Sequence, residues 1–220
     1  MRDKNDILES IKNQGVLPLY FNPDATVSIE VLRALYRAGI RAVEYTNRGD
    51  EAFANFKAMV GIRNSEMADL YLGIGTLKNL ADTEKYVAAG ADYLISPGFV
   101  PEIAVYANEN RILYAPGCMT PTEIIAAENS GVTFIKLFPG NALGPEFMSS
   151  IKSVFPKLLF MPTGGVDATA ESISLWFNSG VCAVGMGSKL VTNELMKQQD
   201  YKTLEENTRA LLDIIKSVRG

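Results

Sequence analysis

Eight short apolar runs, separated by helical patterns, constrain this chain more than any other feature of its sequence. They are Val16–Phe21, Ala42–Thr46, Tyr71–Gly75, Tyr93–Ser96, Ile112–Ala115, Thr133–Phe138, Leu158–Pro162 and Val181–Met186. Each is four to six residues long and rich in Val, Ile, Leu or aromatics, as strands buried on both faces require. Between them, Val27, Val31, Ala34, Leu35 and Ala38 fall on one helical face, and Glu51–Val60 and Leu80–Ala89 read the same way. Thr120-Pro121-Thr122-Glu123 is a capping box with proline at the first helical position. Asp167 is expected to cap a helix running to Asn178, on which Trp176 packs against a strand or a subunit neighbour. Gly39, Gly61, Gly90, Gly131 and Gly180 stand where helices should stop. Residues 1–15, with Ile7, Leu8 and Ile11, predict an extra amphipathic helix at the N-terminus. Residues 203–218, with Leu204, Leu211, Leu212 and Ile215, predict a closing one.

Eight strand–helix units in 220 residues predict a single α/β domain over 1–220, a (β/α)8 TIM barrel with an extra N-terminal helix. A doubly wound open sheet is the second choice. No Gly-x-Gly-x-x-Gly follows the first strand, and Gly185-Met186-Gly187-Ser188-Lys189 has the wrong spacing and order for a phosphate loop. A barrel places function at the C-terminal ends of its strands.

Composition narrows the chemistry. The chain has no histidine, which removes Ser-His-Asp and Cys-His catalysis and most zinc and non-haem iron sites. No metal or cofactor is expected, and acid–base work falls to Glu, Asp, Lys, Tyr or Cys. With 21 basic against 25 acidic residues and no basic stripe, a nucleic-acid partner is not expected. Nor is a membrane partner: the apolar runs are far short of the ~20 residues that cross a bilayer. The charged start, Met1-Arg2-Asp3-Lys4-Asn5-Asp6, does not read as a signal peptide. Cys118 and Cys182 lack metal spacing and read as reduced thiols of a cytoplasmic protein.

Three constellations fall at strand ends. In Phe134-Ile135-Lys136-Leu137-Phe138, alternation puts Phe134, Lys136 and Phe138 on one face. If that face looks inward, an amine stands between two phenyl rings. Burial disfavours its ammonium form, and a neutral amine can form a Schiff base with a carbonyl. A structural ion pair or a lysine reaching for the rim fits the spacing equally. In Glu44-Tyr45-Thr46-Asn47-Arg48, Glu44 and Thr46 share a face and Arg48 lies just past the strand. A buried glutamate suits proton transfer, and arginine offers a planar fork for a carboxylate. A plain salt bridge from Glu44 to Arg48 or Lys136 is the alternative. Third, Pro162-Thr163-Gly164-Gly165-Val166 and Gly185-Met186-Gly187-Ser188 put glycine turns after strands seven and eight, where these barrels recurrently hold phosphate. Thr76, Ser96-Pro97-Gly98 and Pro116-Gly117 close strands three to five as pocket lining or ordinary turns.

Taken in order, several segments resemble one family, the 2-keto-3-deoxy-6-phosphogluconate / 4-hydroxy-2-oxoglutarate aldolases. They are Val43-Glu44-Tyr45-Thr46-Asn47-Arg48, Gly73-Ile74-Gly75-Thr76, Ile95-Ser96-Pro97-Gly98, Pro116-Gly117, Phe134-Ile135-Lys136-Leu137-Phe138-Pro139, Pro162-Thr163-Gly164-Gly165 and Gly187-Ser188. Each is weak alone, but the ordered set spans roughly residues 16 to 191. The resemblance implies a class I aldolase, with Lys136 forming the Schiff base and Glu44 acting as general acid/base. Arg48 would bind the substrate carboxylate, Thr76 and Thr163 would line the pyruvate site, and Pro97 and Phe138 would complete the substrate pocket. Gly164, Gly165, Gly187 and Ser188 would take the phosphate of a small phosphorylated keto acid. A homotrimer without metal is implied as well. A phosphogalactonate-derived substrate, another phosphate-binding barrel enzyme and a sugar-phosphate sensor are the alternatives. Asn47, Gly140, Lys189 and Phe21-Asn22-Pro23-Asp24 depart from the family's usual residues, and they bear on the distal half of the substrate.

Overall fold

The computed structural model describes residues 2–220. Its strands are β1 (Val16–Tyr20), β2 (Ala42–Thr46), β3 (Tyr71–Gly75), β4 (Tyr93–Ser96), β5 (Leu113–Cys118), β6 (Phe134–Leu137), β7 (Leu159–Pro162) and β8 (Val184–Met186). All neighbours pair in parallel, in the order β7-β6-β5-β4-β3-β2-β1-β8. A further bridge from Thr163 to Gly185 brings the end of β7 against β8, so the sheet curls into a (β/α)8 barrel.

The helices are α1 (Lys4–Gln14), α2 (Ala25–Arg37), α3 (Ala52–Glu66), α4 (Leu80–Ala88), α5 (Pro101–Glu109), α6 (Pro121–Asn129), α7 (Gly140–Lys152), α8 (Ala170–Asn178), α9 (Asn193–Gln198) and α10 (Tyr201–Arg219). The Thr120 capping box that starts α6 is formed on both sides. The closing helix α10 packs against α2 and α8, burying Leu204, Leu211 and Ile215. Among the described residues no helix is long and apolar enough to cross a membrane.

Strand alternation divides the apolar residues into two cores. Val43, Tyr45, Leu72, Ile74, Leu94, Ile135 and Leu137 pack outward against the helices, and Trp176 joins them. Leu17, Ala42, Tyr93, Ile95, Leu113, Phe134 and Met161 fill the lumen. Ile7 and Ile11 of α1 belong to the lumen cluster and are fully buried, so the extra helix plugs the amino end of the barrel. That leaves the carboxyl end as the open mouth.

Four expectations need correction. Gly39, Gly90, Gly131 and Gly180 stop helices at positive φ, but Gly61 lies inside α3. It faces open space, at a cost of about 1 kcal/mol, while Arg63 two residues on is buried against Asp92 and carries the helix forward. Thr169, not Asp167, caps α8 by accepting from the Ser172 amide. β5 does not end at Pro116-Gly117 but runs on to Cys118, because Gly117 lets the end of β4 come close: a Cβ there would overlap the Pro97 carbonyl. β8 starts at Val184, three residues later than the apolar run suggests, and α9 has no counterpart among the predicted helices.

Candidate active site

Glu44 and Lys136 meet inside the barrel. Glu44 pairs with Leu19 and Gly73 of the flanking strands, and Lys136 with Gly117 and Met161. Phe134 lies in the lumen, whereas Ile135 and Leu137 face the helices. Lys136 therefore points inward, as alternation requires. Its Nζ lies 3.6 Å from Glu44 Oε1. The Glu44 side chain is fully buried and that of Lys136 is 5% exposed. The Phe138 ring stands 5.2 Å from Nζ, which gives the amine an aromatic wall. Both Glu44 oxygens and the Thr163 hydroxyl are buried without a hydrogen-bond partner among the described residues. Unpaired buried polar atoms of this kind are rare in native proteins. The two of Glu44 lie beside Lys136, and that of Thr163 lies against Gly185 of β8; together they leave the lumen able to take a polar ligand. The ion-pair reading of Lys136 and Glu44 is thus present as geometry, and it does not compete with a chemical role.

Glycine makes the room for the carboxylate. A Cβ at Gly75 would overlap Glu44 Oε1, so the carboxylate lies directly over that α-carbon. Gly75→Ala is therefore expected to push the Glu44 carboxylate aside.

The rim is held by the loops beyond the strands. Arg48 is exposed and makes no ion pair among the described residues, so its guanidinium is open to an anion. Its neighbour Asn47 is fixed twice: its amide donates to Gly75 O at 2.9 Å, and its Oδ1 accepts from the Tyr86 hydroxyl at 2.9 Å. Phe21 covers Gly49 on the other side, and the Asn22 carbonyl accepts from Ser28, Tyr45 and Asn55, which pins the first loop. Thr76 follows β3 at φ 65°, a left-handed conformation that a β-branched residue rarely adopts. Such strain collects at functional sites. The Pro97 turn is tied down by Ser96, whose hydroxyl reaches Gly98 O at 2.5 Å and the Tyr114 hydroxyl at 2.6 Å.

The two glycine turns lie together on the rim, beyond β7 and β8. Gly164 and Gly165 have φ of 90° and 72°, which side-chain-bearing residues avoid. A Cβ at Gly165 would come within 2.6 Å of the Asn141 α-carbon, so this turn packs onto the start of α7. Ser188 is exposed and Gly187 half-buried. Lys189 and Asp167 form an ion pair of 2.8 Å that links the two turns.

All the expected site residues fall on the lumen or its mouth. The sequence reading quoted Gly75 and Gly117 in its motifs without a role and gave Tyr93 none; a glycine inside a strand pattern is the signal for close approach. The cysteines stand apart from this chemistry: burial pushes Cys118 up to about 12 and Cys182 up to about 11, so both remain thiols at neutral pH. Among the described residues no three His, Cys, Asp or Glu side chains are grouped as a metal site would need.

Known proteins share this pattern. The chain is 29% identical over 212 residues to a 2-dehydro-3-deoxy-phosphogluconate aldolase of Treponema pallidum, covering 95% of this chain and 97% of that protein. It is 30% identical over 200 residues to the enzyme of the same name from Pseudoalteromonas atlantica, covering 90% of each. A solved KDPG aldolase from Legionella pneumophila, with pyruvate captured at low pH as a covalent carbinolamine intermediate, superposes with a TM-score of 0.83 at 26% identity, over 92% of this chain and 96% of that one. The family model for KDPG and KHG aldolases matches residues 7–207, which takes in every lumen and rim residue described above. A lyase of the KDPG and KHG aldolase family is therefore what this barrel is.

Proposed function

We propose that the chain is a class I aldolase that cleaves 2-keto-3-deoxy-6-phosphogluconate, or a closely related 2-keto-4-hydroxy acid, to pyruvate and an aldehyde. The observation that carries this reading is the buried amine–carboxylate pair, 3.6 Å apart, at the inner end of an open barrel mouth. The covalent carbinolamine captured with pyruvate in the Legionella pneumophila relative supports imine chemistry for this chain.

Lys136 Nζ, as the free amine, attacks the C2 ketone and gives a carbinolamine. Loss of water leaves an iminium, an electron sink next to C3. Glu44 takes the proton of the C4 hydroxyl, directly or through a water. The C3–C4 bond breaks, its electron pair moves into the enamine of pyruvate, and the aldehyde departs. Glu44 returns that proton to C3, which restores the iminium, and water hydrolyses it to pyruvate and the free lysine. Arg48 holds the carboxylate of the keto acid with its planar fork. Thr76, Thr163, Pro97 and Phe138 line the pyruvate end. The unpartnered Thr163 hydroxyl is a donor and acceptor for that ligand.

Borohydride reduction in the presence of pyruvate, followed by peptide mapping, tests the assignment. A reduced adduct on the peptide that carries Lys136 is expected. An adduct on another lysine, or none, defeats it.

Gly164, Gly165, Gly187 and Ser188 would take the phosphate through backbone amides and one hydroxyl. The phosphorylated substrate is then expected to exceed its unphosphorylated analogue in kcat/KM by about 10²–10⁴-fold, the worth of two hydrogen bonds to a charged group. Equal values for the two substrates would remove the phosphate role of these turns.

A further inference from the structure

The lumen holds a phenol that this mechanism leaves unused. Tyr93 opens β4 and is 1% exposed, and its hydroxyl has no hydrogen-bond partner among the described residues. An unpaired hydroxyl in a barrel interior is unfavourable, and phenylalanine would fill the same space without that penalty.

The strand register shows what the phenol faces. Glu44 pairs with Gly73 across β2 and β3, and Ile74 pairs with Leu94 across β3 and β4. Glu44, Gly73 and Tyr93 thus occupy one layer of three adjacent strands. Gly73 puts no side chain between the other two. A Cβ there would overlap Cε2 and Cζ of the Tyr93 ring, so the ring lies across β3 towards β2. On that side the Glu44 carboxylate covers Gly75, the next inward-facing residue of β3. Both of its oxygens are unpartnered acceptors. Burial, and after it the negative charges of Glu44 and Asp92, hold the phenol well above its ordinary ionisation range. The hydroxyl keeps its proton at neutral pH and remains a donor.

We propose that Tyr93 is a positioning residue: its hydroxyl donates to the Glu44 carboxylate, directly or through one water, and fixes the orientation in which Glu44 receives the C4 proton. The inference rests on the role given to Glu44 above. It goes further by assigning a function to a buried group that fold alone does not call for.

Tyr93→Phe tests it, because the substitution conserves ring and volume. The expected kcat falls about 10–100-fold, the range of one hydrogen bond to a charged group. KM stays within about twofold, the melting temperature falls by a few degrees at most, as loss of one donor to a buried carboxylate requires, and the borohydride adduct with pyruvate still forms. Placed on a Glu44→Gln background, the same change should add little further loss, since both substitutions act on one step. A Tyr93→Phe enzyme with the parent kcat overturns the proposal. So does a fall in kcat that is matched by an equal rise in KM, which marks a distorted pocket, or a full additional loss in the double variant. Absence of any pyruvate adduct in the parent enzyme is a separate result; it removes the Lys136 reading and this proposal with it.

Discussion

Lys136→Ala is expected to show no measurable aldol cleavage and no reducible adduct with pyruvate. The substitution removes the one amine that, among the described residues, stands beside Glu44. The test must separate lost chemistry from lost structure. Removing one member of a buried ion pair leaves the other charge uncompensated, typically at about 3–5 kcal/mol. Against a total stability of about 5–15 kcal/mol, that is enough to lower the melting temperature noticeably. The double variant Lys136→Met, Glu44→Gln removes both charges and refills the space with side chains of similar length. Its melting temperature is expected to recover most of the difference, while its turnover stays at zero. Recovery of stability without activity assigns the loss to the missing amine. Cleavage by either variant at near-parent rates would contradict the Schiff-base role.

Much of the barrel could be read in the order of residues because fully buried parallel strands produce short apolar runs, and six of the eight runs here end in, or are followed directly by, a glycine or proline. Periodicity also gave which residues of β2 and β6 share a face, and left open which face looks inward; the structure turns the faces of Glu44 and Lys136 into the lumen. Boundaries were harder wherever one residue type serves two purposes. Pro116-Gly117 reads as a turn, yet Gly117 is a strand residue kept small by the approach of Pro97. Gly61 reads as a helix stop, yet a buried Arg63–Asp92 contact distant in sequence keeps α3 going. Asp167 reads as a cap, yet a lysine 22 residues on claims its carboxylate. The site shows the same limit. Residue types could be nominated one by one, but the overlap of Glu44 with the space above Gly75, and of Tyr93 with that above Gly73, depends on three strands in register. The link from Asn47 to Tyr86 is likewise a contact across 39 positions, which no local pattern encodes.

Glu44→Gln should behave differently from Lys136→Ala, and the contrast identifies its step. The amide is nearly isosteric with the carboxylate, so it can occupy the same volume over Gly75. It cannot accept and return a proton. Positioned acid–base catalysis contributes about 10²–10⁴-fold, and turnover is expected to fall within that range rather than vanish. Imine formation depends first on the amine, so borohydride should still trap pyruvate on Lys136, though more slowly. Release of the aldehyde and exchange of the pyruvate C3 hydrogens should both slow, because the proposed mechanism routes both protons through Glu44. Gly75→Ala leaves the carboxylate in place chemically but displaces it, and so should reproduce part of this loss without abolishing proton transfer. If Glu44→Gln instead eliminates adduct formation while cleavage of preformed imine is unaffected, Glu44 serves to ready the lysine and the C4 proton must leave by another route. If turnover is unchanged, the carboxylate is only the counter-ion of Lys136, and the 3.6 Å contact is purely structural.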